Sequence, residues 1–194
     1  MRELPIVFNA EMVRAILDGR KTQIRLVVKP QPESMLHDKK RRMPKAFWTG
    51  TKWVKPPYQP GDRLWVKETW YKNYPHRYGR FFYRTDGECI EIPTIYGETM
   101  PFSKADGLRW RPSTHMPKEA ARIWLEVKGV RVERVQDIVG SKDVFREGCP
   151  ENEKHDALNW FVSLWDKIYA KKGFGWDVNP WVWVIEFNIL EVRL

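Results

Sequence analysis

The sequence predicts an α+β fold built on a mixed or antiparallel, barrel-like sheet. Three observations predict it. Several short stretches alternate apolar and polar residues at the strand period. Two or three others carry the helical period, and the two kinds do not succeed each other as regular β-α-β units.

Taken in order, Asn9 is an N-cap for a short helix whose stripe is Met12, Val13, Ile16 and Leu17, and Gly19 is its C-cap. The helix therefore stops at "GRKT". Residues 29 to 60 are rich in proline and charge ("KPQP", "VKPP", "YQP") and read as a long connection. Pro60-Gly61-Asp62 is a turn, and Leu64 to Trp70 alternates as a strand. "RFFYRTDGECIEI" reads as a hairpin around Asp86-Gly87. Residues 93 to 118, with "LRWRPSTHMP", have little periodicity and read as a loop. "RIWLEVKGVRVERV", from Arg122 to Val135, alternates as a strand or bent strand pair. A short helix over Ser141 to Glu147 ends at Gly148. Leu158, Phe161, Val162, Trp165, Ile168 and Tyr169 form the stripe of a longer amphipathic helix. "NPWVWVIEFNI" closes the chain as a buried strand, with Trp181, Trp183, Ile185, Phe187 and Ile189 on one face.

A chain of 194 residues with 42% hydrophobic and 14% aromatic residues, 11 of them tryptophan, can build one packed domain. No apolar run approaches the roughly 20 residues of a membrane span, and the start, "MRELPIVFNAEM", does not read as a signal peptide. Cys89 and Cys149 match no metal-ligand spacing, and none of the 4 histidines stands at zinc-motif spacing. The expectation is a cytoplasmic protein with reduced thiols, no metal and no cofactor.

The formal charge is +9, and residues 29 to 55 supply most of it, with eight Lys or Arg against Glu33 and Asp38. Lys39, Lys40, Arg41, Arg42, Lys45 and Lys52 are candidates to contact a polyanion, nucleic acid by default; a solvated basic loop is the alternative. Trp48, Trp53, Trp65, Trp70 and Trp110 lie in or beside basic runs, where indoles can stack bases while cations hold phosphates. Trp110, between Arg109 and Arg111, is the foremost stacking candidate. Trp165, Trp181 and Trp183 stand at core spacing.

Leu64, Val66, Glu68 and Trp70 share a strand face, so if the first two are buried Glu68 is buried too and needs a cationic partner. The cations of "GRKT" and the following arginine, Arg20, Lys21 and Arg25, are natural candidates. Lys21 in turn serves as a nucleophile or base if buried beside carboxylates, or as a plain charge over a phosphate if not.

"ILDGRKTQIR", "PGDRLWVKETW", "VFREG" and "WVWVIEF", in that order along most of the chain, closely resemble the ASCH-domain family of the PUA-like superfamily, in its longer, tryptophan-rich, prophage-type branch. The resemblance implies a single domain over residues 1–194, a small mixed β-barrel flanked by helices, with insertions at about 31–58 and 86–108. It implies a cleft for RNA or a modified nucleotide, and Arg20, Arg25, Glu68, Trp70, Trp110 and Arg111 are the candidates to line it. It also carries a hydrolase expectation. One small bacterial relative is an amidohydrolase that deacetylates acetylated cytidine with a lysine, a threonine three residues on and a later glutamate. Lys21 and Glu147 match the first and last. The threonine falls on Ile24, leaving Thr22 as the nearest hydroxyl. Other members are ribonucleases. A module that binds a host protein is the remaining alternative.

Overall fold

The computed structural model describes residues 1–32, 47–48, 53–72, 81–87, 90–93, 99–102 and 108–193. It is α+β. Strand β1 (Glu3–Val7) leads into helix α1 (Ala10–Leu17), followed by β2 (Gln23–Val27), β3 (Phe47–Trp48), β4 (Trp53–Val54), β5 (Arg63–Lys67), β6 (Trp70–Lys72), β7 (Phe81–Tyr83), β8 (Ile90–Pro93), β9 (Thr99–Phe102) and β10 (Ile123–Arg134). Helices α2 (Asp143–Arg146) and α3 (Ala157–Tyr169) precede the last strand, β11 (Trp181–Val192).

Five strands form one mixed sheet in the order β1-β5-β10-β11-β2; β1 runs parallel to β5 and the other pairs are antiparallel. Residues from all five, the two end strands included, meet α1 in one core: Ile6 and Phe8 beside β1, Ile24 of β2, Leu64 and Val66 of β5, Leu125 and Val127 of β10, and Ile185 and Phe187 of β11. A sheet whose two end strands reach the same core is strongly curved. Its curvature is helped by two register shifts in β10, at Trp124/Leu125 and Val127/Gly129. Val182 and Val184 point from β11 to the opposite face, where α3 packs Phe161 and Trp165 against them. The two-residue period of β11 thus feeds two cores at once. The free side of β1 carries Pro5, which has no N–H to offer, and its carbonyl accepts the Tyr58 hydroxyl at 2.9 Å.

Asn9 caps α1 through Met12 N at 2.8 Å, and Gly19 ends it with φ +72°, where a side chain is disfavoured. Five segments differ from the sequence reading. The first strand and β2 are not apparent from periodicity, because β1 is short with a proline and β2 buries polar residues. Among the described residues, the strands on either side of Asp86-Gly87 do not pair with each other as the expected hairpin would require. Strand β7 pairs back with β6, and Arg84–Asp86 is a 3-10 turn drawn inward as Asp86 and Thr85 bond to buried groups described next. Residues 93–118, read as loop, contain β9, paired with β8. The connection 29–60 contains the short β3–β4 ladder. Over Arg122 to Val135 the first of the two expected alternatives holds, one 12-residue strand, Ile123–Arg134.

Glu68 is buried, as the alternation of its strand predicts, along with Leu64, Val66 and Trp70. Its partner is not drawn from "GRKT". Arg122, which directly precedes β10, donates to it from Nε at 2.9 Å and Nη2 at 3.1 Å, and Thr85 Oγ1 donates at 2.8 Å. Arg122 also grips exposed Asp86, at 2.8 Å from each of two nitrogens, and lies over the Tyr83 ring. This buried pair clamps the β7 turn to the sheet. Removing one partner of such a pair strands the other charge. We predict that Arg122→Met destabilises the protein by about 3–5 kcal/mol in chemical denaturation, whereas Asp86→Asn, at an exposed partner, costs under about 1 kcal/mol. A loss below about 1 kcal/mol for Arg122→Met would show that the clamp is not structural.

Candidate functional site

Three polar residues at the two-residue spacing, Lys21, Gln23 and Arg25, are all buried, with 1%, 0% and 2% of their surface exposed. They face one acceptor. Lys21 Nζ donates to Glu147 Oε2 at 3.0 Å and to the Glu147 carbonyl at 2.8 Å. Arg25 Nη1 donates to Glu147 Oε1 at 2.6 Å, and Gln23 Nε2 approaches the same oxygen at 3.4 Å while bonding Asp143 O at 3.0 Å. The other nitrogen of Arg25, Nη2, reaches Glu133 at 2.5 Å, and Arg131 ties Glu133, Asp143 and Glu186 into the same set. The group is close to electroneutral, with each inner cation spent on a buried carboxylate. It holds no surplus charge for an anion.

Local backbone explains the convergence. After α1 the chain turns through Gly19, so that Lys21 N donates to Ala15 O, and residues 146–147 then pair with residues 21–22, Thr22 N donating to Arg146 O at 2.9 Å. Gly148 permits this approach. Its φ is +98°, and a Cβ there would stand 2.9 Å from Ala15 Cβ and 3.1 Å from Lys21 Cβ. Arg20 fastens the same turn, donating to Gly148 O at 2.7 Å and to Asp18 at 2.7 Å.

Beside this charged group lies a pocket of about 220 Å³. Phe161, Leu164, Trp165, Ile168 and Tyr169 of α3 form one wall; Val7, Met12, Ile24 and Leu26 form the other; Asn9, Arg25 and Glu147 supply its polar atoms. The Trp165 and Tyr169 rings lie 4.3 Å apart. At this size, below the roughly 300–1,000 Å³ of sites for drug-sized ligands, the pocket admits one ring system. A second cavity of about 360 Å³, lined by Arg14, Arg20, Trp160 and Glu153 among others, adjoins it across Met12, Glu147 and Leu164.

Burial lowers the affinity of Lys21 for its proton below the ordinary lysine value, and Glu147 opposes the shift without cancelling it. A lysine so placed can accept a proton or attack an electrophile. Burial also pushes the Tyr169 phenol up to about 12, with the Glu147 charge adding to the shift and the Val27 amide offsetting part of it. Tyr169 is therefore a neutral hydroxyl at the pocket wall at any physiological pH.

The structure brings together Lys21, Arg25 and Glu147 and puts Arg20 one turn away. It places Glu68 in the separate clamp with Arg122. Thr22 is exposed, on the side of the strand opposite Lys21. Ile24 is buried in the main core and reaches the pocket wall that Glu147 shares. Trp70 is buried in a third cluster with Trp124 and Met116, under the Arg111 guanidinium, and pairs through its backbone with Arg111. Trp110 is half-buried, with an indole nitrogen that is buried and finds no acceptor. Lys39, Lys40, Arg41, Arg42, Lys45 and Lys52 lie outside the described residues, as do Cys89 and the side chains of Trp48 and Trp53. Sequence reasoning missed Gln23, Glu133 and Asp143. It assigned Phe161, Trp165 and Tyr169 to packing alone, although they also wall the pocket. The alternation of Lys21, Gln23 and Arg25 with Ile24 and Leu26 was the available signal.

No family model and no curated protein matches the chain. Among solved structures it is similar to an ASCH domain from Lactobacillus crispatus JV V101, with a TM-score of 0.44 and 12% identity, over 98% of this chain and 80% of that one. It is also similar to protein EF3133 from Enterococcus faecalis V583, described by the family model DUF984, with a TM-score of 0.43 and 9% identity, over 100% of this chain and 82% of that one. Among the described residues no helix is long and apolar enough to cross a membrane, and no group of three or more His, Cys, Asp or Glu is placed to hold a metal ion.

The Tyr169 shift has a consequence for stability. A phenol that titrates near 10 unfolded and near 12 folded favours the folded state fully below about pH 10, and that contribution is lost as pH rises towards about 12. Tyr83, also pushed up to about 12 by burial, acts in the same sense. We predict that the urea midpoint falls across this window and that Tyr169→Phe makes the fall shallower. An identical alkaline profile in the variant would contradict the assignment.

Proposed function

We propose that the protein binds RNA, or a nucleotide related to it, by taking one base into the pocket between α1, β2 and α3. The observation that carries this reading is the composition of the pocket: aromatic and aliphatic walls at one-ring size, with an arginine and a carboxylate at one edge. A base needs apolar faces for its π surface and a donor–acceptor pair for its edge. The charge balance around Glu147 suits a neutral base better than a phosphate. The formal charge of +9 favours a polyanion carrying that base, and the motif resemblance to ASCH domains points to the same ligand class.

Leu164 lines both the pocket and the adjoining cavity and has no part in the ion group, so a larger side chain there fills the space without disturbing Glu147. Stacking of one base is worth about 1–3 kcal/mol. We predict that Leu164→Trp weakens binding of short single-stranded RNA in calorimetry by about that amount, with the thermal midpoint little changed. Undiminished affinity would remove the pocket from the binding site. If the natural protein binds no RNA or nucleotide, the protein-partner alternative takes its place.

A specific observation favours a second reading, hydrolysis. Lys21 is buried, its affinity for a proton is lowered, and it lies 3.0 Å from Glu147 at the pocket edge. In the resembling amidohydrolase a threonine completes this pair, and Ile24 stands there instead. The exchange Ile24→Thr keeps β-branching, and the new hydroxyl would lie on a wall that Glu147 shares. We predict poor turnover of acetylated cytidine by the natural sequence, raised by Ile24→Thr at nearly constant binding, with Lys21→Ala as the blank. Equal inactivity with intact binding would leave a pure binding module. High activity in the natural sequence would show that another group replaces the hydroxyl.

A further inference from the structure

The base pocket holds one ring system, so the rest of any ligand lies beyond its rim. Tyr169 of the pocket wall has the Lys172 ammonium over its ring, 5.3 Å from the centroid, and its phenol meets the Val27 backbone, two residues before Lys29. Trp165, of the same wall, donates from Nε1 to Phe174 O at 2.8 Å, and Lys29 lies over the Phe174 ring at 5.0 Å. A basic surface thus continues directly from the pocket. Lys29, Lys171 and Lys172 are exposed, and among the described residues no carboxylate pairs with any of them. A ring contact leaves the charge of an ammonium in place, as an ion pair does not. Asp166 and Asp177 are the carboxylates of residues 166 to 181; Asp166 is engaged by the Trp176 amide at 2.7 Å, and three ammoniums outweigh the two. Lys171 and Lys172 also suit the negative end of α3, but Lys29 comes from the end of β2, where no helix asks for a cation.

We propose that an RNA strand whose base fills the pocket runs out over the C-terminal end of α3, with its flanking phosphates on Lys172, Lys171 and Lys29. The ligand class is then a single strand of several nucleotides and not an isolated nucleoside. The inference rests on the base-binding reading. Ammoniums on long, flexible stems follow a phosphate backbone without reading its sequence, while the pocket reads the base. The lysines come from two elements and lie over different rings, so they mark a path and not a single point. Phe174, half-buried beside Lys29, adds an aromatic face for a neighbouring base. Continuity with a pocket of one-ring size favours a nucleic-acid strand over other polyanions.

Fluorescence anisotropy and calorimetry on the full chain test this, with short single-stranded RNA containing all four bases and with the separate ribonucleosides as probes. At low salt the natural protein should bind the RNA about tenfold or more tightly than any nucleoside. The log–log dependence of RNA affinity on salt should become shallower by about 2 units in the triple variant Lys29→Gln, Lys171→Gln, Lys172→Gln, at about 0.7 per phosphate contact on a single strand. The slope should survive in Lys29→Arg, Lys171→Arg, Lys172→Arg. It should also survive in Lys55→Gln, Lys118→Gln, Lys128→Gln, which removes as much charge from exposed lysines elsewhere. RNA and nucleoside of equal affinity would overturn the strand path and leave the base pocket standing. An unchanged slope in the first variant, or an equal loss in the third, would place the phosphates elsewhere and also overturn it. Absence of binding by every probe would overturn both readings together.

Discussion

One carboxylate organises this molecule. Glu147 is buried, and a lone buried anion would be driven to protonate or to unfold its surroundings. It is tolerable only because Lys21 and Arg25 arrive on the same side of β2 and because Gln23 between them adds a donor. That requirement ties the turn after α2 to the turn after α1, and through them ties α3 to the edge of the sheet. The pocket is what remains between elements that the ion group holds at fixed distance.

The same requirement separates recognition from charge. A site intended for phosphate keeps its cations hydrated; here the inner cations, Lys21 and Arg25, are consumed by carboxylates. Under the base-binding proposal the interior reads shape and hydrogen-bonding pattern, and affinity for a polyanion falls to charges outside it. A binding module and a hydrolase can both be built on this division. They differ in whether the lysine at the pocket edge meets a bond it can attack.

Much of this was legible in the sequence. The stripe of α1, its cap at Asn9 and its stop at Gly19, the apolar faces of α3 and β11, and the burial of Glu68 all follow from period and caps. Lys21 and Glu147 were found through motif resemblance. What was not legible depends on contacts between distant positions. That Arg122 rather than Lys21 answers Glu68 is decided by which strand lies beside β5, and alternation within one strand carries no such information. Strand β2 was missed for a different reason: a buried face made of Lys21, Gln23 and Arg25 looks like a solvated one until its carboxylate is known. The hairpin expected at Asp86-Gly87 failed because Arg122 competes for Asp86 and pulls the turn inward.

The parallel pairing of β1 with β5 also bears on the order of events during synthesis. Strand β1 can take its place only after β5 has left the ribosome, since Glu3 and Arg63 are the first partners of that ladder. The wait for Lys21 is longer, because its carboxylate lies 126 residues downstream. Helix α1 can form early, from local bonds alone, but its apolar stripe and the lysine behind it stay uncovered through most of translation. Chaperone demand for this chain should therefore concentrate on its first helix and persist until the segment containing Glu147 emerges.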